Sequence, residues 1–176
     1  MGKIVPRPKL PEVIFKKPIE RERHQERDKE FEEKVVSIDR VSYVIAGGKR
    51  MRFRVLVVIG NRTGKVGVGV AKAPEIPNAI TKAIAQAKKN LIDIPLKNGT
   101  IPFEIKYKYG PAVVFLKPAS NGTGIIAGGP VRAVIELSGI TDILSKMMGS
   151  KNKINNVFAT HHALKTIKER HETPRT

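Results

Sequence analysis

GGKRMRFRVLVVIGNRTGKVGVGVAK, Gly47–Lys72, decides the fold. Arg50, Arg52 and Arg54 alternate with Met51, Phe53, Val55, Val57 and Ile59, the period-two pattern of a half-buried strand. A Gly-Gly entry and a short Asn61-Arg62-Thr63-Gly64 turn make the stretch two strands of a hairpin. The partner strand, Lys65–Ala71, points Val66, Val68 and Val70 one way and Gly67, Gly69 and Ala71 the other. Glycine weakens a strand, so something packs close to that face. The following helix is the first candidate and RNA the second.

Upstream, Val35–Ile45 reads as a strand ending in Ala46-Gly47-Gly48. Downstream, Pro74–Leu91 reads as a helix with Pro77 in its first turn. Its apolar stripe is Ile80, Ala83, Ile84, Ala87 and Leu91, while Lys82, Lys88 and Lys89 lie off the stripe, toward solvent or phosphate. A second helix from Lys29–Lys34 would complete this unit. The expected unit is a three-stranded antiparallel sheet plus helix over 31–95.

A turn-rich junction with Asn98-Gly99 leads to a second unit, 100–168, of α/β type. Ile101–Tyr109 and Ala112–Lys117 form a hairpin around Gly110-Pro111, and a Gly-rich loop, ASNGTGIIAGGP, follows. Pro130 opens a helix with Val131, Val134 and Ile135 inward. Thr141–Met148 is a further strand. The last helix, Ile154–Glu169, carries Ile154, Val157, Phe158, His161, Leu164 and Ile167 as its stripe, and 169–176 is a tail. The fold class is α+β. Residues 1–30 mix prolines with lysines and then run through ERERHQERDKEFEE, almost wholly charged. They read as an extension that stays flexible until it meets a partner, or as an ordinary disordered tail.

The chain of 176 residues carries a formal charge of +17 and a pI near 10.3. Such a charge speaks of partners, nucleic acid or an anionic membrane surface, rather than of fold. No apolar run is long enough to span a bilayer and no signal-like core opens the chain, so a cytoplasmic protein with no membrane role is expected. Without cysteine there is no disulfide framework, zinc knuckle or thiol nucleophile. Aromatics make up 5% and Trp is absent, so recognition by base stacking is disfavoured against recognition of backbone and groove.

Three Gly-rich stretches invite an enzymatic reading. Gly60–Lys65 is one residue short of a phosphate loop, and Val66 stands where a magnesium-binding hydroxyl is needed; a hairpin turn explains it. Gly122-Thr123-Gly124 fits the loose dinucleotide fingerprint, yet no acidic residue follows at the required spacing in a second strand, Asp142 being nearest. The stretch Pro118–Ala127 resembles the phosphate-binding loop of galactokinase- and homoserine kinase-type enzymes. Ile125 and Ile126 occupy the places of that family's two serines, so the shape persists without the chemistry. The N–H groups of Gly128 and Gly129 at a helix start could still meet an anion or a partner's carboxylate. Of the four histidines, His161 lies on the apolar stripe of the last helix and reads as core or interface. No carboxylate pair sits where an acid and base would work together. No catalytic residue, metal, cofactor or small-molecule substrate is expected.

From Arg40 to Pro74 there are eight Lys or Arg and no Asp or Glu. Arginine forks onto phosphate, and such contacts position a protein on a nucleic-acid backbone. RNA is favoured, because sheet-and-helix units reading A-form shape are a known solution and no DNA-reading motif is present. Arg50, Arg52, Arg54, Arg62, Lys65 and Lys72 are the candidate phosphate ligands. Gly47 and Gly48, beside Lys49, would let backbone approach RNA; Lys88 and Lys89 extend the surface.

The segments EKVVSIDRVSYVIAGGKRMRFRVLVVIGNRTGKVGVGVAKAPEIPNAITKA and PASNGTGIIAGGPVRAVIELSGI, with NLI and NGT between them, resemble bacterial-type small-subunit ribosomal protein five, from about Phe31 to about Lys168. The resemblance implies a double-stranded-RNA-binding-like first domain and a second domain sharing the fold of the kinases named above. It implies binding to small-subunit rRNA, contact with ribosomal proteins four and eight, a place near messenger RNA entry, and an influence on decoding accuracy. No homo-oligomer is expected. A loop from Arg40 to Gly48, with Ser42 and Tyr43, would lie near the hinge between head and body. Ser120, Asn121, Gly122, Gly124 and Arg132, in the Gly-rich loop and helix start, would face protein four.

Overall fold

In the computed structural model, residues 31–172 are described, and Phe31 onward forms one compact unit. The expectations for 1–30, and for the end of the tail, lie outside the described residues.

The first sheet has the order β1-β2-β3-β4: β1 Glu32–Ile45, β2 Gly48–Gly60, β3 Lys65–Ala73 and β4 Leu91–Asp93, all antiparallel. Helix α1, Ile76–Lys89, lies on one face. This is four strands where the sequence suggests three. The helix stops two residues short of Leu91 because Asn90 caps it and donates its side-chain amide to the Val68 carbonyl, 3.2 Å. Leu91 is thereby released to pair with Gly67. The second helix expected at Lys29–Lys34 does not form in its described part: Glu32, Glu33 and Lys34 pair with Gly60, Ile59 and Val58 as strand. The segment Arg40–Gly48 is likewise strand up to Ile45. Only Ala46 and Gly47 turn, so the expected loop is a long two-stranded arm.

The glycines of β3 are explained by α1. A Cβ on Gly67 would run into the Ala87 carbonyl oxygen, and one on Gly69 into that of Ala83. The helix, not RNA, takes that face, and its small buried residues Ala79, Ala83 and Ala87 let the backbones close up.

The second sheet has the order β5-β6-β8-β7, with β5 Ile105–Tyr109, β6 Ala112–Pro118, β7 Ile125–Ile126 and β8 Ile143–Gly149. Helices α2, Gly129–Ser138, and α3, Lys153–Glu172, accompany it. The hairpin around Gly110-Pro111 forms, but from Ile105 rather than Ile101, whose side chain is core. β7 is an addition, two residues parallel to β8. α3 runs three residues past its expected end at Glu169.

The two sheets share a core. Leu56, Val58, Val66 and Val68 of the first pack in one cluster with Val131, Val134, Ile135, Leu137 and Leu164 of the second half. The junction is made by backbone: Arg62 N–H donates to the Leu137 carbonyl at 3.0 Å and Gly64 N–H to that of Ser138 at 2.9 Å. His161, 6% exposed, adds a hydrogen bond between its Nε2 and the Asn90 carbonyl, 2.9 Å, at the end of α1. Burial pushes this imidazole below its usual pKa against the smaller opposing pull of that bond. It is a core histidine, as its place on the stripe suggests.

Candidate nucleic-acid interface

On β2 the face bearing Arg50, Arg52 and Arg54 continues into Leu56 and Val58, both buried. The cationic front therefore covers only the outer half of the sheet; the inner half is roofed by the second half of the molecule. Gly48 to Gly60 spans roughly 40 Å at about 3.4 Å per residue. Arg62 and Lys65 thus sit at the opposite end of β2 from Arg50 and Arg52.

Register settles which candidates share a face, since directly paired residues point the same way. Tyr43 pairs with Arg50, Val41 with Arg52, Asp39 with Arg54, and Lys72 with Arg54 from the other side. The Arg52 guanidinium lies over the Tyr43 ring, 5.5 Å from its centroid. Arg40, Ser42 and Lys49 lie on the reverse face; Arg40 leans against the Met51 sulfur. The arm is therefore cationic on both faces.

The surface is acid-free in sequence but not in space. Asp39 Oδ2 accepts from Arg54 Nη2 at 3.0 Å, reaching it across the ladder from just outside the acid-free window. Arg62 is held by both oxygens of Glu32, 2.8 Å at Oε1, so this guanidinium is already forked onto a carboxylate. That bond holds the Glu32 carboxyl below its usual range and raises Arg62. Among the described residues neither Arg50 nor Arg52 has a carboxylate partner. Beyond Gly67, where β4 ends, a groove between β3 and α1 is lined by Lys72, Lys82 and Lys89, with Val70 and Ala71 on its floor. Lys88 is half-buried on the same helix.

At the other end lies the Gly-rich loop. Ser120 and Thr123 bond to each other, Asn121 and Gly122 are exposed, and Arg132 Nη2 donates to the Ile125 carbonyl at 3.2 Å. The interior of the loop is filled: Gly124 N–H donates to Asp142 Oδ1 at 2.8 Å, and the Thr141 hydroxyl to Oδ2 at 2.8 Å. The Gly124 amide first, then Thr141, and lastly the Gly122 and Thr123 amides hold the Asp142 carboxyl below its usual range. The chain's own carboxylate thus occupies the amides of this loop, a role that sequence reasoning, treating Asp142 only as a failed ribose ligand, missed. Because the folded pKa is depressed, the stability this clasp contributes is fully present above the ordinary carboxylate range and is lost as pH falls below that range, through the depressed folded value. Asp142→Ala should speed amide exchange at Gly124 and lower the melting temperature at neutral pH. Unchanged exchange would show that the clasp does not hold the loop.

Among the described residues, no three His, Cys, Asp or Glu come close enough to hold a metal ion. No helix among them is long and apolar enough to cross a membrane.

Two sheets on one core, cations gathered on a projecting arm and a Gly-rich loop closed by its own carboxylate define an α+β scaffold protein with a polyanion-type surface. A profile for the N-terminal domain of ribosomal protein S5 matches residues 31–95, and one for its C-terminal domain matches 107–175. The small ribosomal subunit protein uS5 of Thermotoga neapolitana is 55% identical over 138 residues, 78% of this chain and 78% of that protein. That of Thermus thermophilus is 49% identical over 146 residues, 83% of this chain and 90% of its own. The chain belongs to the ribosomal protein S5 family.

Proposed function

We propose that the chain is a structural, rRNA-binding constituent of the small ribosomal subunit, acting in the cytoplasm without catalysis of its own. The observation that carries the reading is the arm on which Arg50 and Arg52 stand without carboxylate partners among the described residues, within family matches covering both halves of the chain. Lys72, Lys82 and Lys89 extend that surface into the groove between β3 and α1. The arm reaches toward the hinge between head and body and stabilises their arrangement. Arg62, tied to Glu32, and Lys65 serve a second contact at the opposite end of the sheet.

The division of labour follows the chain. Residues 31–95 hold rRNA, and 100–168 face proteins. Ser120, Asn121, Gly122, Gly124 and Arg132 form the contact with ribosomal protein four through which decoding accuracy is influenced; ribosomal protein eight is a further neighbour, and messenger RNA entry lies close by. Support comes from the fixed shape of the loop, clasped on Asp142, with its outer side exposed.

In a lysate the protein should sediment with small ribosomal subunits, and be released as salt rises, as several neutralised phosphates require. Sedimentation with free RNA alone would favour a free-standing RNA-binding regulator. Saturable ATP binding would revive a kinase-like reading.

A further inference from the structure

Of the chain's four methionines, Met51 is the most exposed among the described residues, 50% against 37% for Met148. Met147 packs against the core. Met51 lies near the tip of the cationic arm, paired with Ser42 on the face opposite Arg50 and Arg52. Its sulfur is where Arg40 rests: the guanidinium donates through Nε, 3.0 Å from Sδ, and through Nη2. Among the described residues Arg40 has no carboxylate partner. A side chain that only covered the apolar stem of Arg40 could as well be leucine. Sulfur adds a chemistry that leucine lacks.

A thioether is a weak acceptor, so this contact holds Arg40 loosely and lets it swing to a phosphate. Oxidation reverses that. Hydrogen peroxide supplies one oxygen: a lone pair on Sδ attacks it, an S–O bond forms and the O–O bond breaks. The departing hydroxide takes the proton of the transferred hydroxyl and leaves as water. Sulfur is oxidised by two electrons and the peroxide is reduced by the same two. The product carries a polar oxygen on the very sulfur that Arg40 touches. A charged donor on such an acceptor makes one of the stronger hydrogen bonds. The guanidinium must then be pulled off that oxygen before it can fork onto RNA.

We propose that Met51 is a redox-sensitive modification site: oxidation to the sulfoxide by peroxide clasps Arg40 and weakens the arm's hold on rRNA. The change is reversible, since sulfoxide reductases return the thioether. Its place is before assembly, while the arm is open to solvent. The proposal rests on the reading of the arm as the rRNA contact and adds a control to that same site.

The test treats the full chain with hydrogen peroxide, locates the added oxygen by peptide mass spectrometry, and follows binding to small-subunit rRNA across a salt series. Oxidation at Met51 should weaken binding about tenfold and make the slope of log affinity against log salt shallower by about 1, as loss of one phosphate contact requires. Methionine sulfoxide reductase should restore both. M51L should bind as the unaltered chain does and keep its affinity after peroxide, although Met148 is still open to oxidation. R40A should bind weakly from the start and lose nothing further when Met51 is oxidised. Full affinity in a chain oxidised at Met51, an equal loss in M51L, a further loss in R40A, or peroxide that spares Met51 would each overturn the proposal. The rRNA reading would survive any of these. Absence of rRNA binding by the untreated chain would sink both.

Discussion

Replacing Arg50 and Arg52 together by Ala should weaken binding to small-subunit rRNA by about a hundredfold while leaving the protein folded. Both residues sit on the exposed arm, on the face that Tyr43 shares, and neither is engaged by a carboxylate among the described residues. Each charge-assisted bond to a phosphate contributes about 1.5–3 kcal/mol, and at the lower end, expected on an exposed arm, losing two costs about 3 kcal/mol, a change of that size. Each phosphate released also takes about 0.9 from the slope of log affinity against log salt for duplex, so the double variant should be shallower by about 2. Filter binding across a salt series measures both quantities. Arg54→Ala is the instructive contrast. Asp39 already neutralises Arg54 across the ladder, so the single change should move the slope by less than either outer arginine does. Thermal unfolding should barely shift for the double variant, since exposed substitutions stay within about 0.5 kcal/mol. If affinity and slope were both unmoved in R50A/R52A, the arm would not be the rRNA contact.

The contrast between Arg54 and its neighbours marks what local reading can and cannot reach. Alternation from Met51 to Ile59 announces a strand, and the spaced glycines of β3 announce a close helix; both are period-two facts written within a dozen residues. The same stretch also holds VLVVI, a continuous apolar run, the mark of a strand buried on both faces. Read in full, that run shows the cationic face giving way to core at Leu56. What occupies the far side is another matter, because Leu137 and Val131 lie some 75 residues away in sequence. The ion pairs are equally nonlocal. Asp39 faces Arg54 only once register is set, and Glu32 meets Arg62 and Lys34 meets Glu136 only once the β2–β3 turn and α2 are in place beside β1. Of these, the exposed pair of Lys34 with Glu136 contributes little to stability, about 1 kcal/mol at most. The short strands β4 and β7 escape a pattern reading because two or three residues show no period. Asp142 escapes because its partner amides lie on a loop 18 positions earlier.

The most demanding nonlocal feature is where the two halves meet, and it gives the largest effect on stability. Gly139 closes α2 in the left-handed region, φ 86°, and a Cβ there would strike the Arg62 carbonyl oxygen. Opposite it, a Cβ on Gly60 would strike the Leu137 carbonyl oxygen. Two backbones thus touch where the β2–β3 turn docks on the end of α2, and the Arg62 and Gly64 amides bond to Leu137 and Ser138 across the contact. Neither neighbour is a flexible side chain that could swing away. Gly139→Ala should therefore cost about 3–5 kcal/mol: about 1–2 for the left-handed backbone, and the rest for prising the turn off the helix. Gly122→Ala separates the two contributions, since Gly122 has φ 89° but nothing within 4 Å of an added Cβ. At this chain length each kcal/mol moves the melting temperature by about 2–4 °C. Circular dichroism melts should then place Gly139→Ala roughly 10 °C below the parent and Gly122→Ala only a few degrees below it. A functional reading follows from the same contact. Because the turn fixes β2 against the second half, loosening it frees the cationic arm from the frame that holds the Gly-rich loop. Gly139→Ala, assayed well below its melting temperature, should keep its affinity for naked rRNA, which the arm supplies, but lose competition for the assembled particle, which needs both surfaces at once. Equal melting temperatures for the two variants would mean that the turn yields without cost and that the two halves are not held there.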